Sequence, residues 1–199
     1  MSTTPLDAEI GSAIRRSAAV LQAMAEDAGC RAAIAGMVEA SVAALRAGGQ
    51  LLFCGNGGSA ADAQHWAGEL VSRFMYDRPG LAAIALTTDS SILTAIGNDY
   101  GYERVFARQV EALGRQGDVL FAISTSGRSP NILAALRAAR AKGMATLGFT
   151  GAAGGEMPPL CDHCLRVPAT VTPLIQEGHA VAGHTICALI ERQLFPREA

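Results

Sequence analysis

The run Ser124-Thr125-Ser126-Gly127-Arg128-Ser129-Pro130 places four hydroxyl side chains and a glycine directly after the apolar stretch Val119–Ile123. Hydroxyls and backbone N–H groups at that density form a cup for an oxyanion such as phosphate, and Pro130 suits the first position of a helix whose free N–H groups complete it. Capping such a helix needs one hydroxyl at Ser129, not four. A second candidate, Gly55-Asn56-Gly57-Gly58-Ser59, follows the apolar residues 51–54. Taken alone it reads equally well as a tight turn capped by Ser59 or as a loop whose glycines let the backbone approach an anion. It is not G-x-G-x-x-G, and no acidic residue closes the next apolar stretch, since Leu86 is followed by Thr87 and Thr88 before Asp89. A dinucleotide site is therefore disfavoured.

Further along, His65 and Glu69 are four residues apart, hence on one face of a helix. There an imidazole and a carboxylate can converge on a zinc ion or serve one proton relay. An exposed pair of this kind is commonly just solvated; its place in the helix that leaves the glycine loop is what gives it weight. Cys161-Asp162-His163-Cys164 has the spacing of a metal or redox pair. With no second such pair and no βαβ start beside it, free thiols are the better reading, as for Cys30, Cys54 and Cys187. The sole lysine, Lys142, stands before Gly143 at a predicted helix end, where a cation suits the helix dipole. Without another, there is no G-x-x-x-x-G-K-[ST] loop and no lysine for imine chemistry.

Positioning these residues requires an alternating array. Ile10, Ile14, Leu21 and Met24 form one helical stripe over residues 7–27, and Ile34, Met37, Val38 and Leu45 form the next, stopped by Gly48-Gly49. Strands are expected at 51–54, 82–86, 119–123, 145–149 and 165–167. Helical stretches are expected at 59–74, 90–96, 102–113, 130–142 and 174–194. Strand–helix alternation with continuous apolar strands predicts an α/β fold, a doubly wound five-stranded parallel sheet flanked by helices, in one domain over residues 1–199. Residues 1–48 would pack on the 49–199 core or on a neighbouring subunit. In flavodoxin-like order, strands one and three are neighbours, so the two loops face one cleft.

Composition sets outer limits. The 199 residues are 50% hydrophobic but 5% aromatic, with 22 glycines, so the core is built from Ala, Leu, Ile and Val. Charged residues make up 17% and the net charge is −2, which leaves no basic field for nucleic acid. No apolar run approaches bilayer-spanning length, and MSTTPLDAEI lacks the basic start and apolar stretch of a secretory signal, so no membrane association and a reducing cytoplasmic location are expected.

The Ser-Thr-Ser-Gly-x-Ser loop resembles the phosphate motif of sugar-isomerase (SIS) domains. Gly55–Ser59 followed by Asp62, His65 and Glu69 is similar to the phosphoheptose isomerase family, which acts on sedoheptulose 7-phosphate. The likeness extends over Arg73-Phe74, Asp77-Arg78-Pro79, Ala95-Ile96-Gly97-Asn98-Asp99, Gly117-Asp118-Val119-Leu120, Ile175-Gln176-Glu177 and His184. The resemblance implies an aldose–ketose isomerase acting through an enediol to make D-glycero-D-manno-heptose 7-phosphate, the first step of bacterial ADP- or GDP-heptose synthesis. It also implies a homotetramer with sites at subunit interfaces and one zinc ion per subunit. Substrate contacts would fall on Asn56, Gly57, Gly58, Asn98, Asp99, Ser124, Thr125, Ser126, Ser129 and Gln176, with Ser59 helping to hold the phosphate. Metal ligands would be His65, Glu69, Gln176 and His184. Glu69 would be the base and His184 the acid, with Asp62 and Asp99 supporting; Thr172-Pro173-Leu174, beside Gln176, would tune the sugar end.

Gln176 and His184 raise a geometric difficulty, since eight residues of helix separate them by roughly 12 Å along the axis. Either the last helix starts after Gln176, or His184 comes from another subunit. His163 and His179 are expected to be structural. The alternative class is a non-catalytic SIS protein that binds the bacterial replication initiator, a group similar in its closing Leu-Phe-Pro but lacking the carboxylate at Glu69. A sugar-phosphate sensor ranks last, because no basic helix-turn-helix is present.

Overall fold

The structure is a computed structural model that describes residues 4–197. Five strands form one wholly parallel sheet in the order β2-β1-β3-β4-β5: β1 Leu51–Gly55, β2 Ala83–Ala85, β3 Val119–Ile123, β4 Ala145–Gly151 and β5 His163–Val167. Every residue of β1 and β3 is buried, as the continuous apolar runs predict for strands covered on both faces. Alternation within them sorts the two cores. Leu51, Phe53, Val119, Phe121 and Ile123 pack on one face with Trp66, Phe149 and Ile186. Leu52, Cys54, Leu120 and Ala122 pack on the other with Phe106, Ile132 and Leu136.

Among the described residues, the helices are α1 Pro5–Glu26, α2 Ala28–Arg46, α3 Gly58–Val71, α4 Ser90–Tyr100, α5 Ala107–Leu113, α6 Pro130–Ala141 and α7 Thr172–Leu194. Thr4 caps α1 by accepting from Asp7 N at 3.2 Å, and Asp27 separates the first two helices by accepting from Cys30 N at 2.7 Å. The helical stretch expected over 102–113 is broken into a 3-10 turn, Tyr102–Arg104, and α5, after Gly101 at φ 83°. The last helix starts two residues before its expected position, because Pro173 fits the first turn of a helix. By length and composition alone α2, 19 residues with a mean hydropathy of 1.3, is long and apolar enough to cross a bilayer, where no such stretch was expected. Its Met37, Val38 and Val42 are instead buried in the core it forms with β5 and α7.

The α1 helix packs on α2 and α7 and leaves Leu6, Ile10 and Ile14 each more than half exposed along one stripe. At the far end of α6 from the hydroxyl loop, Lys142 occupies the C-cap and its ammonium donates to the Glu111 carbonyl.

His179 is a core residue, as expected. It is fully buried, its Nε2 lies 3.2 Å from the Thr150 carbonyl oxygen, its ring stands edge-on to Phe149, and Nδ1 has no partner. Burial pushes its pKa down to about 4 from an ordinary 6.5, against the opposing pull of the Thr150 carbonyl. The unfolded chain therefore takes up a proton near pH 6.5 that the folded chain resists until about pH 4. Stability falls as the pH drops through that window, by roughly 3 kcal/mol at most. Denaturant unfolding at pH 7 and pH 4.5 should show this loss, and His179→Gln should flatten it; parallel slopes in the two proteins would assign the loss to other groups.

Candidate active site

Because β1 and β3 are hydrogen-bonded neighbours, the loops at their carboxyl ends emerge side by side, as the predicted strand order requires. In the loop after β3, Ser124 N extends the ladder by donating to the Phe149 carbonyl at 2.9 Å. The Ser124 and Ser129 hydroxyls are 3.0 Å apart, and Ser126 Oγ accepts from Arg128 N at 3.2 Å. Ser129 occupies the N-cap position of α6, yet its side chain makes no capping bond; the hydroxyl turns into the cup. Gly127, at φ 63°, has its Cα against the Gly154 carbonyl, where a methyl group would overlap. Its own carbonyl accepts from Glu156 N at 2.8 Å, and Gly151 N donates to the Thr125 carbonyl at 3.1 Å. Residues 151–156 thus back the hydroxyl loop.

In the glycine loop, Gly57 at φ 56° is the N-cap of α3 and supplies no side-chain cap. Ser59 does not cap the turn. It lies inside the first helical turn, buried beneath Gly55, whose Cα packs on the Ser59 backbone. A residue outside the sequence reading joins the two loops. Asn131, buried on α6, exchanges two hydrogen bonds with Asn56: Asn56 Nδ2 to Asn131 Oδ1 at 2.9 Å and Asn131 Nδ2 to Asn56 Oδ1 at 2.8 Å. The Tyr102 hydroxyl adds a third bond to Asn56 Oδ1 at 3.2 Å. The available signal was an amide in the second position of a helix that follows a hydroxyl loop. Asn98 and Asp99 bond to each other at 2.8 Å, exposed on the last turn of α4, four and three residues before the Tyr102 whose hydroxyl reaches Asn56.

On α3, His65 Nε2 and Glu69 Oε1 are 3.1 Å apart, and His184 Nε2 on α7 lies 3.4 Å from His65 Nε2. The three donor atoms lie within 4.8 Å of one another. Two helices approach this closely because Gly183 faces the Trp66 ring, where any side chain would overlap. Asp62, one turn before His65, is half-buried, and burial raises its carboxyl above the ordinary range against the pull of His65 and His184.

The difficulty with Gln176 resolves differently from either expected route. α7 is helical from Thr172, so Gln176 is not on an irregular segment, and His184 of the same chain already stands beside His65. α3 and α7 run parallel: Gly58 faces the Gln176 amide, and seven to eight residues on, His65 faces His184. Gln176 therefore lies at the glycine loop, about 12 Å along the helix from the cluster. Two imidazole nitrogens and a carboxylate oxygen suit zinc and leave a position open, so His65, Glu69 and His184 fit the implied ion; Gln176 lies at the glycine loop, outside that set.

Residues 14–151 match the family described as SIS domain, which defines the class of the fold. The chain is 58% identical over 189 residues to a phosphoheptose isomerase of Burkholderia pseudomallei, covering 95% of this chain and 96% of that one. It superposes on phosphoheptose isomerase structures from Neisseria gonorrhoeae (TM-score 0.87, 42% identity, 94% and 98% of the two chains) and Francisella tularensis (0.89, 40%, 95% and 99%). The chain belongs to the phosphoheptose isomerase family of SIS-domain proteins.

Gly127→Ala tests the hydroxyl loop. Left-handed backbone strain and the overlap with Gly154 should weaken binding of inorganic phosphate by roughly tenfold or more in calorimetric titration. Unchanged affinity would remove this loop from anion binding.

Proposed function

We infer that this chain interconverts sedoheptulose 7-phosphate and D-glycero-D-manno-heptose 7-phosphate through an enediol. The observation that carries this reading is the convergence of His65, Glu69 and His184 within 4.8 Å on the helices that leave and flank the glycine loop. The names of the full-length relatives support it; nothing specific favours the initiator-binding alternative, and Glu69 is present.

Isomerisation moves a proton from C1 of the 2-ketose to C2 while oxygen-bound protons move the other way. Glu69 engages His65 through Oε1, which leaves Oε2 to take the C1 proton. A protonated His184 then donates from Nε2 to the C2 carbonyl oxygen to give the enediol. The aldose forms when Glu69 returns the carbon-bound proton to C2 as the O1 hydroxyl proton passes back to His184. Ser124, Thr125, Ser126, Ser129 and the N-terminus of α6 hold the phosphate, and with it the distance from phosphate to reacting carbon. Asn56, Gly57, Gly58 and Gln176 face the sugar. With zinc bound instead, His65, Glu69 and His184 would hold the ion, whose charge would polarise the carbonyl in place of the His184 proton. The exposed Leu6, Ile10 and Ile14 stripe and the absence of buried residues on α4 support assembly into a homotetramer with sites near its interfaces. The five free cysteines fit a cytoplasmic enzyme, its product destined for lipopolysaccharide or capsule heptose.

In deuterated water, the wild type should exchange at C1 and C2 and form the aldose. Glu69→Gln should lose both by about a hundredfold or more while still binding the sugar phosphate. A wild type that binds but neither exchanges nor converts would make this a sugar-phosphate-binding protein.

A further inference from the structure

Beneath the His65–Glu69–His184 cluster lies an ion pair that neither acid–base chemistry nor phosphate binding uses. Arg78 Nε and Glu191 Oε1 are 3.0 Å apart, and their side chains are 2% and 0% exposed. Glu191, on α7, also accepts from Phe74 N at 2.9 Å and Met75 N at 2.7 Å. The Arg78 guanidinium gives its other donors mostly to the end of α3: Nη2 to the Glu69 carbonyl at 2.9 Å, and Nη1 to the carbonyls of Leu70 at 2.6 Å and Ser72 at 3.1 Å, with its own neighbour Pro79 also at 3.1 Å. A cation at a helix C-terminus satisfies carbonyls that have no partner within the helix.

Both catalytic candidates are in reach of this pair. Arg78 holds the backbone of Glu69 itself. Glu191 stands two turns after His184 on α7, and it fixes the backbone of Phe74, whose ring lies 5.7 Å from the His184 ring at a tilt of 31°. A buried ion pair contributes little net stability, because desolvating two charges offsets their attraction, and well-packed apolar residues often do as well. What apolar residues cannot do is bond simultaneously to the carbonyl of Glu69 and to the N–H of Phe74.

We propose that the Arg78–Glu191 pair is a positioning device that sets the Glu69 carboxylate and the His184 imidazole at their working separation. It rests on the isomerase reading above. Its reach ends at the cluster: the phosphate loop is built on β3 and α6 and shares no bond with it.

The test compares the wild type, Arg78→Lys and Phe74→Leu for kcat, for the dissociation constant of sedoheptulose 7-phosphate by calorimetry, and for the unfolding midpoint. All assays are run on the full chain well below each midpoint. Lysine keeps the charge but cannot span Glu191 and the four carbonyls; leucine leaves the ion pair intact and removes the ring from His184. Both variants should lose about tenfold or more in kcat while substrate affinity stays within about threefold, since an ångström of displacement at the reacting groups costs rate without costing remote binding. A lowered midpoint with kcat and affinity per folded molecule unchanged would overturn the proposal, as would parallel losses of rate and binding. Should Arg78→Lys fail to fold, Glu191→Gln, which keeps the side chain's shape and removes its charge, takes its place with the same outcomes. A wild type that binds substrate without turnover overturns the isomerase reading and this proposal together, a result distinct from an active wild type with indifferent variants.

Discussion

The contact of α3 with α7 at Gly183 governs the chemistry of this molecule. A glycine against the Trp66 ring lets two parallel helices approach until His65 and His184 are in hydrogen-bonding range. Neither helix holds the cluster alone. α3 contributes an i,i+4 pair that solvent would otherwise separate, and α7 contributes the second imidazole. Since both helices follow parallel strands and cover the same face of the sheet, their N-termini also lie together, which brings Gln176 to the glycine loop. One packing contact thus sets two ends of a cleft, the His65–Glu69–His184 cluster at one and Gln176 beside the glycine loop at the other.

The second element is the adjacency of β1 and β3. Strand order alone would put two loops near each other; the Asn56–Asn131 amide pair makes them one surface. Because each amide donates to and accepts from the other, neither leaves a polar atom unpaired on the buried side of α6. The oxyanion cup beside it is built of hydroxyls and backbone N–H groups, with no lysine. It depends on direction, and it gains from residues 151–156, which fix the loop from behind.

Much of this was legible in the residues. The five strands, their parallel alternation, the two loops and the His65/Glu69 face all follow from local patterns of period two or 3.6 and from glycines at strand ends. The features that escaped are tertiary. Ser59 looked like a cap but is buried, because Gly57 takes the cap position through a left-handed backbone. Gln176 and His184 looked irreconcilable on one helix, because nothing local states that a second helix runs alongside with matching spacing. Asn131, Arg78 and Glu191 are polar residues whose partners lie 75 to 117 positions away, a distance no periodicity reports. Asn98 and Asp99 lie on an exposed helix turn, just before the Tyr102 that reaches Asn56.

The position of Lys142 has a bearing on the product. An aldose in its open-chain form carries an aldehyde, which condenses with unprotonated amines and slowly glycates proteins that handle it. Here the one side-chain amine stands at the opposite end of α6 from the oxyanion cup, some 18 Å of helix away, with its ammonium turned onto the Glu111 carbonyl. A newly formed aldehyde leaving this cleft meets hydroxyls, amides, imidazoles and guanidinium groups, and no lysine to trap it.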